Sequence, residues 1–150
     1  MTANNKAIVH RWFEEVWNQG REATIDELFA QDGVTIGLGE SDVEVRGPIQ
    51  FKTFFHNLRT TFPDMHITIE DTLAEGDKVV VRVKIEGTHR GDGIGVPASG
   101  QRICVAGIFI IRFANGKFVE AWNSWDQLGM LRQIGALPAA SNDRFLAARG

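Results

Sequence analysis

Few side chains in this sequence can do chemistry, and their spacing limits what they can do. The segment Phe118-Val-Glu-Ala-Trp-Asn-Ser-Trp-Asp126 ends in a carboxylate. With a strand's period of two, Phe118, Glu120, Trp122, Ser124 and Asp126 share one face, which sets Asp126 beside two aromatic residues. Such a carboxylate is partly desolvated, and desolvation raises its pKa and makes it a better base toward a carbon-bound proton. The same residues also read as a helix start. Ser124-Trp-Asp-Gln127 has the form of a capping box, with Asp126 in the first turn beside the helix dipole. His89 is the second candidate. It continues the odd parity of Val79, Val81, Val83 and Ile85 toward the apolar side, at the end of its strand. There it can orient a substrate oxygen, shuttle a proton, or serve as a hydrogen-bonded strand end.

Other chemistries lack their residues. His10, His56, His66 and His89 fall on four separate elements, and the one cysteine offers no partner, so no metal-ligand spacing exists. Gly87, Gly91, Gly93, Gly95 and Gly100 interrupt a strand-to-strand connection and do not lead into a helix; they read as a mobile flap and not as a phosphate loop. Tyrosine is absent, which excludes any mechanism with a phenolic proton donor. Cys104 sits in the apolar run Ile103 to Ile111 and reads as a small buried hydrophobe. A single cysteine forms no intrachain disulfide, and Met1 to Val9 is too polar for the apolar region of a secretory signal, so a cytoplasmic setting is expected.

The elements that must position these groups follow from periodicity. Ile8, Val9, Trp12, Phe13 and Val16 mark an amphipathic helix over Asn4 to Gln19, stopped by Gly20. Thr24 can cap a second helix ending near Gln31, and short strands are expected at Val34 to Leu38 and Val43 to Arg46. Pro48 opens a third helix with an aromatic face of Phe51, Phe54, Phe55 and Phe62. The period then becomes two. Met65 to Ile69 turns through Gly76-Asp77 into Val79 to Ile85, and Arg102 to Phe113 turns through Asn115-Gly116 into Lys117 to Asn123. A last helix spans Gln127 to Ile134. Both parities of the Arg102 to Phe113 strand are apolar, which predicts cover on both faces.

With 150 residues, 43% of them apolar and 23% charged, the chain reads as one α+β domain over residues 1–138, followed by a loosely held tail, 139–150. A curled antiparallel sheet with helices on one face makes a cone with an apolar cavity. Trp12, Phe13, Phe51, Phe55, Phe109 and Trp122 are its candidate lining. No apolar run approaches the ~20 residues of a spanning helix, and a formal charge of -3 argues against a nucleic-acid surface.

Three ordered segments resemble the SnoaL-like polyketide cyclases of the nuclear transport factor 2-like (cystatin-like) fold. They are Glu15-Val-Trp-Asn-Gln-Gly20 with Ile25-Asp-Glu-Leu-Phe29, then Gly87-Thr-His-Arg-Gly91 through Val96-Pro-Ala-Ser-Gly100, and Gly116 through Asp126 continuing to Leu128-Gly-Met-Leu131. The resemblance implies a deep pocket, a homodimer or larger assembly, and cofactor-free aldol ring closure with Asp126 at the place of the catalytic aspartate. The histidine that the family carries on the penultimate strand has no counterpart in Arg102 to Phe113. Ketosteroid isomerases, scytalone dehydratases and limonene-epoxide hydrolases of this fold use tyrosine and cannot be copied here. Two functions remain open: an acid/base enzyme of cyclase, lyase or isomerase type acting on a small apolar or aromatic substrate, and a non-catalytic binding module. The even positions Cys104, Ala106, Ile108 and Ile110 predict an apolar outer stripe that a second copy covers.

Overall fold

In the computed structural model, which describes residues 2–39 and 43–138, the first helix is built in two parts. Helix α1 (Thr2–Trp12) runs into a π-helical segment, Phe13–Asn18, that ends where Gly20 adopts a positive φ of 73°. Helix α2 (Glu22–Leu28) starts three residues earlier than expected, because Arg21 takes the extended cap conformation. Thr24 does not cap it. Its buried hydroxyl donates to Glu15 at 2.6 Å, tying α2 back to the first helix.

Strands β1 (Phe29–Ile36) and β2 (Glu44–Arg46), helix α3 (Gly47–Thr61), strands β3 (His66–Glu75), β4 (Lys78–Thr88), β5 (Arg102–Ala114) and β6 (Lys117–Trp125), and helix α4 (Gln127–Gln133) complete the described chain. Strand β1 begins at Phe29, inside the span expected to be helical, because Phe29 pairs with Phe118 of β6. Tertiary pairing overrides local helix preference there. The sheet order is β2-β1-β6-β5-β4-β3, and its curl leaves β2 and β3 as open edges. It is mixed, because β1 and β6 run parallel. No helix among the described residues is long and apolar enough to cross a membrane. The expected tail, 139–150, lies outside the described residues.

Helices and sheet enclose an aromatic core. Trp12 packs 4.6 Å from Phe118 and 5.2 Å from Phe51, ring centre to ring centre, and Phe13 stacks on Phe109 at 5.8 Å. Burying a side chain of this size contributes about 1.5–3 kcal/mol.

Strand β5 alternates strictly. Ile103, Val105, Phe109, Ile111 and Phe113 are buried, whereas Cys104, Ala106, Ile108 and Ile110 are exposed. Among the described residues nothing covers the outer positions of this strand enough to bury them, and Cys104 is a surface residue and not a buried one.

Strand β6 departs further from simple alternation. Phe113 faces Phe118 and Arg112 faces Glu120, so Val119 is an extra residue, a β-bulge. Beyond it Ala121 pairs with Ile111, Asn123 with Phe109 and Trp125 with Gly107, all on the inner face. Glu120, Trp122 and Ser124 therefore face outward. Trp122 lies on the outer surface with the Lys78 ammonium 5.6 Å from its ring, and it is no part of the cavity.

Candidate active site

The cavity lies between the inner face of the sheet and helices α1 and α3, with about 60 Å3 of free space. Trp12, Phe13, Phe51 and Phe109 line it as expected. Phe55 does not; it is buried one layer away, 5.4 Å from the Trp17 ring. No carboxylate, imidazole, ammonium or thiol belongs to the wall among the described residues.

The polar groups of the wall among the described residues are Thr35, Asn123 and the indoles of Trp12, Trp17 and Trp125. Asn123 Nδ2 donates to Thr35 Oγ1 at 2.5 Å and to the Ile36 carbonyl at 2.7 Å. Trp125 Nε1 donates to the Leu38 carbonyl at 2.8 Å. Gly37 makes this arrangement possible. Its φ is +86°, and a Cβ there would run into the Asn123 carbonyl. Periodicity did not single out Thr35 or Asn123, because the bulge at Val119 decides which residues of β6 face inward.

Asp126 sits immediately beyond Trp125, exposed at the start of α4. Its Oδ1 accepts the Gly129 N–H at 2.8 Å and caps the helix, while its own N–H donates to the Ala106 carbonyl at 3.0 Å. The capping alternative read from Ser124 to Gln127 therefore holds in one respect: the cap is Asp126 itself, not Ser124. Asp126 is not enclosed by Phe118 and Trp122, so the desolvation predicted from alternation is absent.

His89 is fully buried. Its Nδ1 lies 3.1 Å from the Ser99 backbone N and 2.9 Å from Ser99 Oγ. A backbone N–H can only donate, so Nδ1 accepts, and the neutral ring carries its proton on Nε2. That Nε2 has no partner among the described residues. His89 does not line the cavity, but Phe62 does, with its ring centre 5.8 Å from the imidazole.

The glycine-rich connection is not a free flap. The N–H groups of Arg90 and Gly91 both donate to the Thr61 carbonyl, and Gly91 and Gly93 lie so close to the α3 backbone that a Cβ at either would strike it. The structure does not bring the two candidate chemical groups together. His89 bonds to Gln101 and Asp126 to Ala106, five residues further along, which is roughly 17 Å of strand.

The titratable groups most shifted by their surroundings lie elsewhere. Glu15 is held at about 2, first by the Arg11 hydrogen bond and then by the Thr24 hydroxyl. Burial pushes Asp64 up, but hydrogen bonds from Thr88 and the charge of Arg102 outweigh it and leave its pKa lowered. Among the described residues no group of three or more His, Cys, Asp or Glu is placed to hold a metal.

Comparison with known proteins agrees with the fold. The profile of the SnoaL-like polyketide cyclases matches residues 7–134. Aklanonic acid methyl ester cyclase DnrD of Streptomyces peucetius is 29% identical over 122 residues, covering 81% of this chain and 84% of the relative. A SnoaL-like protein from Jannaschia sp. CCS1 superposes with a TM-score of 0.83 at 29% identity, over 91% of this chain and 95% of that one. TsrD of Streptomyces laurentii gives 0.78 at 28% identity, over 90% and 97% of the two chains.

Proposed function

The chain belongs to the SnoaL-like polyketide cyclase family, and from that premise we propose that it catalyses a cofactor-free, aldol-type ring closure on a flat, apolar aromatic polyketide. The observation that carries this reading is the wall itself. Stacked and tilted rings of Trp12, Phe13, Phe51 and Phe109 line an apolar space whose flat faces suit a planar hydrophobic ligand. The free space is about 60 Å3, against roughly 300–1,000 Å3 for pockets around drug-sized ligands, so a polycyclic substrate enters by displacing wall side chains.

In this reading Asp126 is the base. It follows Trp125 of the wall and must leave its cap to reach the substrate. Its carboxylate removes a proton from a methylene between two carbonyls, the enolate attacks a nearby carbonyl carbon, and the carboxylic acid so formed protonates the alkoxide. The substrate delocalises its own enolate, so alignment in the cavity supplies much of the rate. A homodimer through the outer face of β5 completes the proposal.

One observation favours a second reading, a binding module without turnover: the Asp126 carboxylate is already engaged as a helix cap and no titratable group lines the cavity among the described residues. Asp126→Asn separates the two. Asn caps helices about as well as Asp, so the variant melts within about 1 kcal/mol of the parent. Turnover of a methyl-ester polyketide substrate falls on the order of a hundredfold or more if Asp126 is the base. Undiminished turnover in the Asn variant overturns that role.

A further inference from the structure

We propose that Asn123, held by Thr35, is the specificity-determining residue of the cavity and selects ligands that carry a free ring hydroxyl. The inference rests on the proposed aromatic-polyketide reading and deepens it. The Ile36 carbonyl can only accept, so the Asn123 atom 2.7 Å from it must be the amide nitrogen, and this settles which way the amide faces. The same nitrogen donates to Thr35 Oγ1. Both contacts hold Nδ2 against β1, and Oδ1 has no protein partner among the described residues. That oxygen is not sealed away, since His89 Nε2 is the buried unpartnered side-chain atom among those residues. Asn123 lines the cavity, so its carbonyl oxygen is the acceptor it offers to a ligand.

An amide satisfied at one end only is a poor choice for stitching two strands in an apolar wall. An apolar pair of similar size packs there without leaving an acceptor to be desolvated. A ligand hydroxyl donated to Oδ1 removes the penalty, and a ligand without a donor leaves it in place. A site built around such an acceptor discriminates by the cost of leaving it unpaired.

The test uses 2-hydroxyanthraquinone and its methyl ether as probes, with quenching of tryptophan fluorescence as the readout, because Trp12, Trp17 and Trp125 line the cavity. The parent protein is expected to bind the hydroxy compound on the order of tenfold more tightly than the ether. Asn123→Leu, similar in volume but without an acceptor, brings the ratio near one while ether binding persists. Thr35→Val, which removes one of the amide's two anchors, lowers the ratio and serves if the Leu variant does not fold. Equal affinity of the parent for both probes overturns the inference and leaves the aromatic-ligand reading standing. A preference that survives in Asn123→Leu, or in full in Thr35→Val, also overturns it. Binding of neither probe overturns both readings.

Discussion

The carboxylate of Asp126 lies directly on Gly129: Oδ1 accepts the Gly129 N–H at 2.8 Å, and a Cβ on Gly129 would run into both carboxylate oxygens. Glycine inside a helix costs about 1 kcal/mol relative to alanine. Its presence in the first turns of α4 thus has a local reason, which is room for the capping side chain.

The two residues should therefore be thermodynamically coupled. In an Asp126→Ala background Gly129→Ala is expected to stabilise by about 1 kcal/mol, from helix propensity alone. In the parent the same change gains little or nothing, because it displaces a cap of similar worth. A denaturation double-mutant cycle measures this, and equal gains in both backgrounds would show that the carboxylate does not rest on Gly129.

His89 fastens the connection from β4 to β5. Ser99 donates its N–H to the imidazole, and the Gly100 N–H donates to the His89 carbonyl at 2.8 Å. His89→Ala removes a fully buried side chain and is expected to cost about 2–4 kcal/mol. Amide hydrogen exchange at Ser99 should accelerate well beyond that at Gly100, whose partner is backbone and survives. Equal acceleration at both amides would mean that the imidazole does not hold the connection.

Acid should weaken the packing of α2 on the first helix. Glu15 accepts from Arg11 Nε at 2.8 Å, Arg21 at 2.6 Å and the Thr24 hydroxyl at 2.6 Å, and its carboxyl titrates at about 2 instead of 4.5. A folded-state pKa below the unfolded one gives stability that is fully present above about 4.5 and is lost as the pH falls toward 2. Glu15→Gln should flatten the dependence of the urea midpoint on pH across that window. An unchanged slope would remove Glu15 from the account of acid unfolding.

The outer face of β5 carries Ile108 and Ile110, which are 50% and 37% exposed, beside Cys104 and Ala106. Sedimentation at micromolar concentration is expected to show a dimer, and Ile108→Lys to convert it to a monomer without loss of fold, because a lysine at the centre of an apolar interface would be buried unpaired. A parent that sediments as a monomer disposes of the proposal.

The elements themselves were legible because each has a period. Helix α3 follows from Pro48 and the spacing of its phenylalanines, β4 and the first half of β3 from alternation, and β5 from its apolar run, so the apolar cavity and the wall residues Trp12, Phe13, Phe51 and Phe109 could be read without coordinates. The exposed stripe from Cys104 to Ile110 was legible for the same reason, although the burial of Cys104 itself was misjudged, because a run apolar at both parities does not say which face lacks a cover.

Tertiary structure decided the rest wherever a contact joins residues distant in sequence or a single residue breaks a period. Strand β1 starts at Phe29 because Phe118, far along the chain, pairs with it. The bulge at Val119 leaves Phe118 facing inward but turns Trp122 out and Asn123 in, and no pattern announces it, since Phe118, Trp122 and Trp125 are all apolar enough for either face. Thr35 and Asn123 are 88 positions apart and become one polar site only through the parallel pairing of β1 with β6. Composition and period determine which residues must leave water; which polar groups remain among them depends on strand register, and register is a property of the assembled sheet.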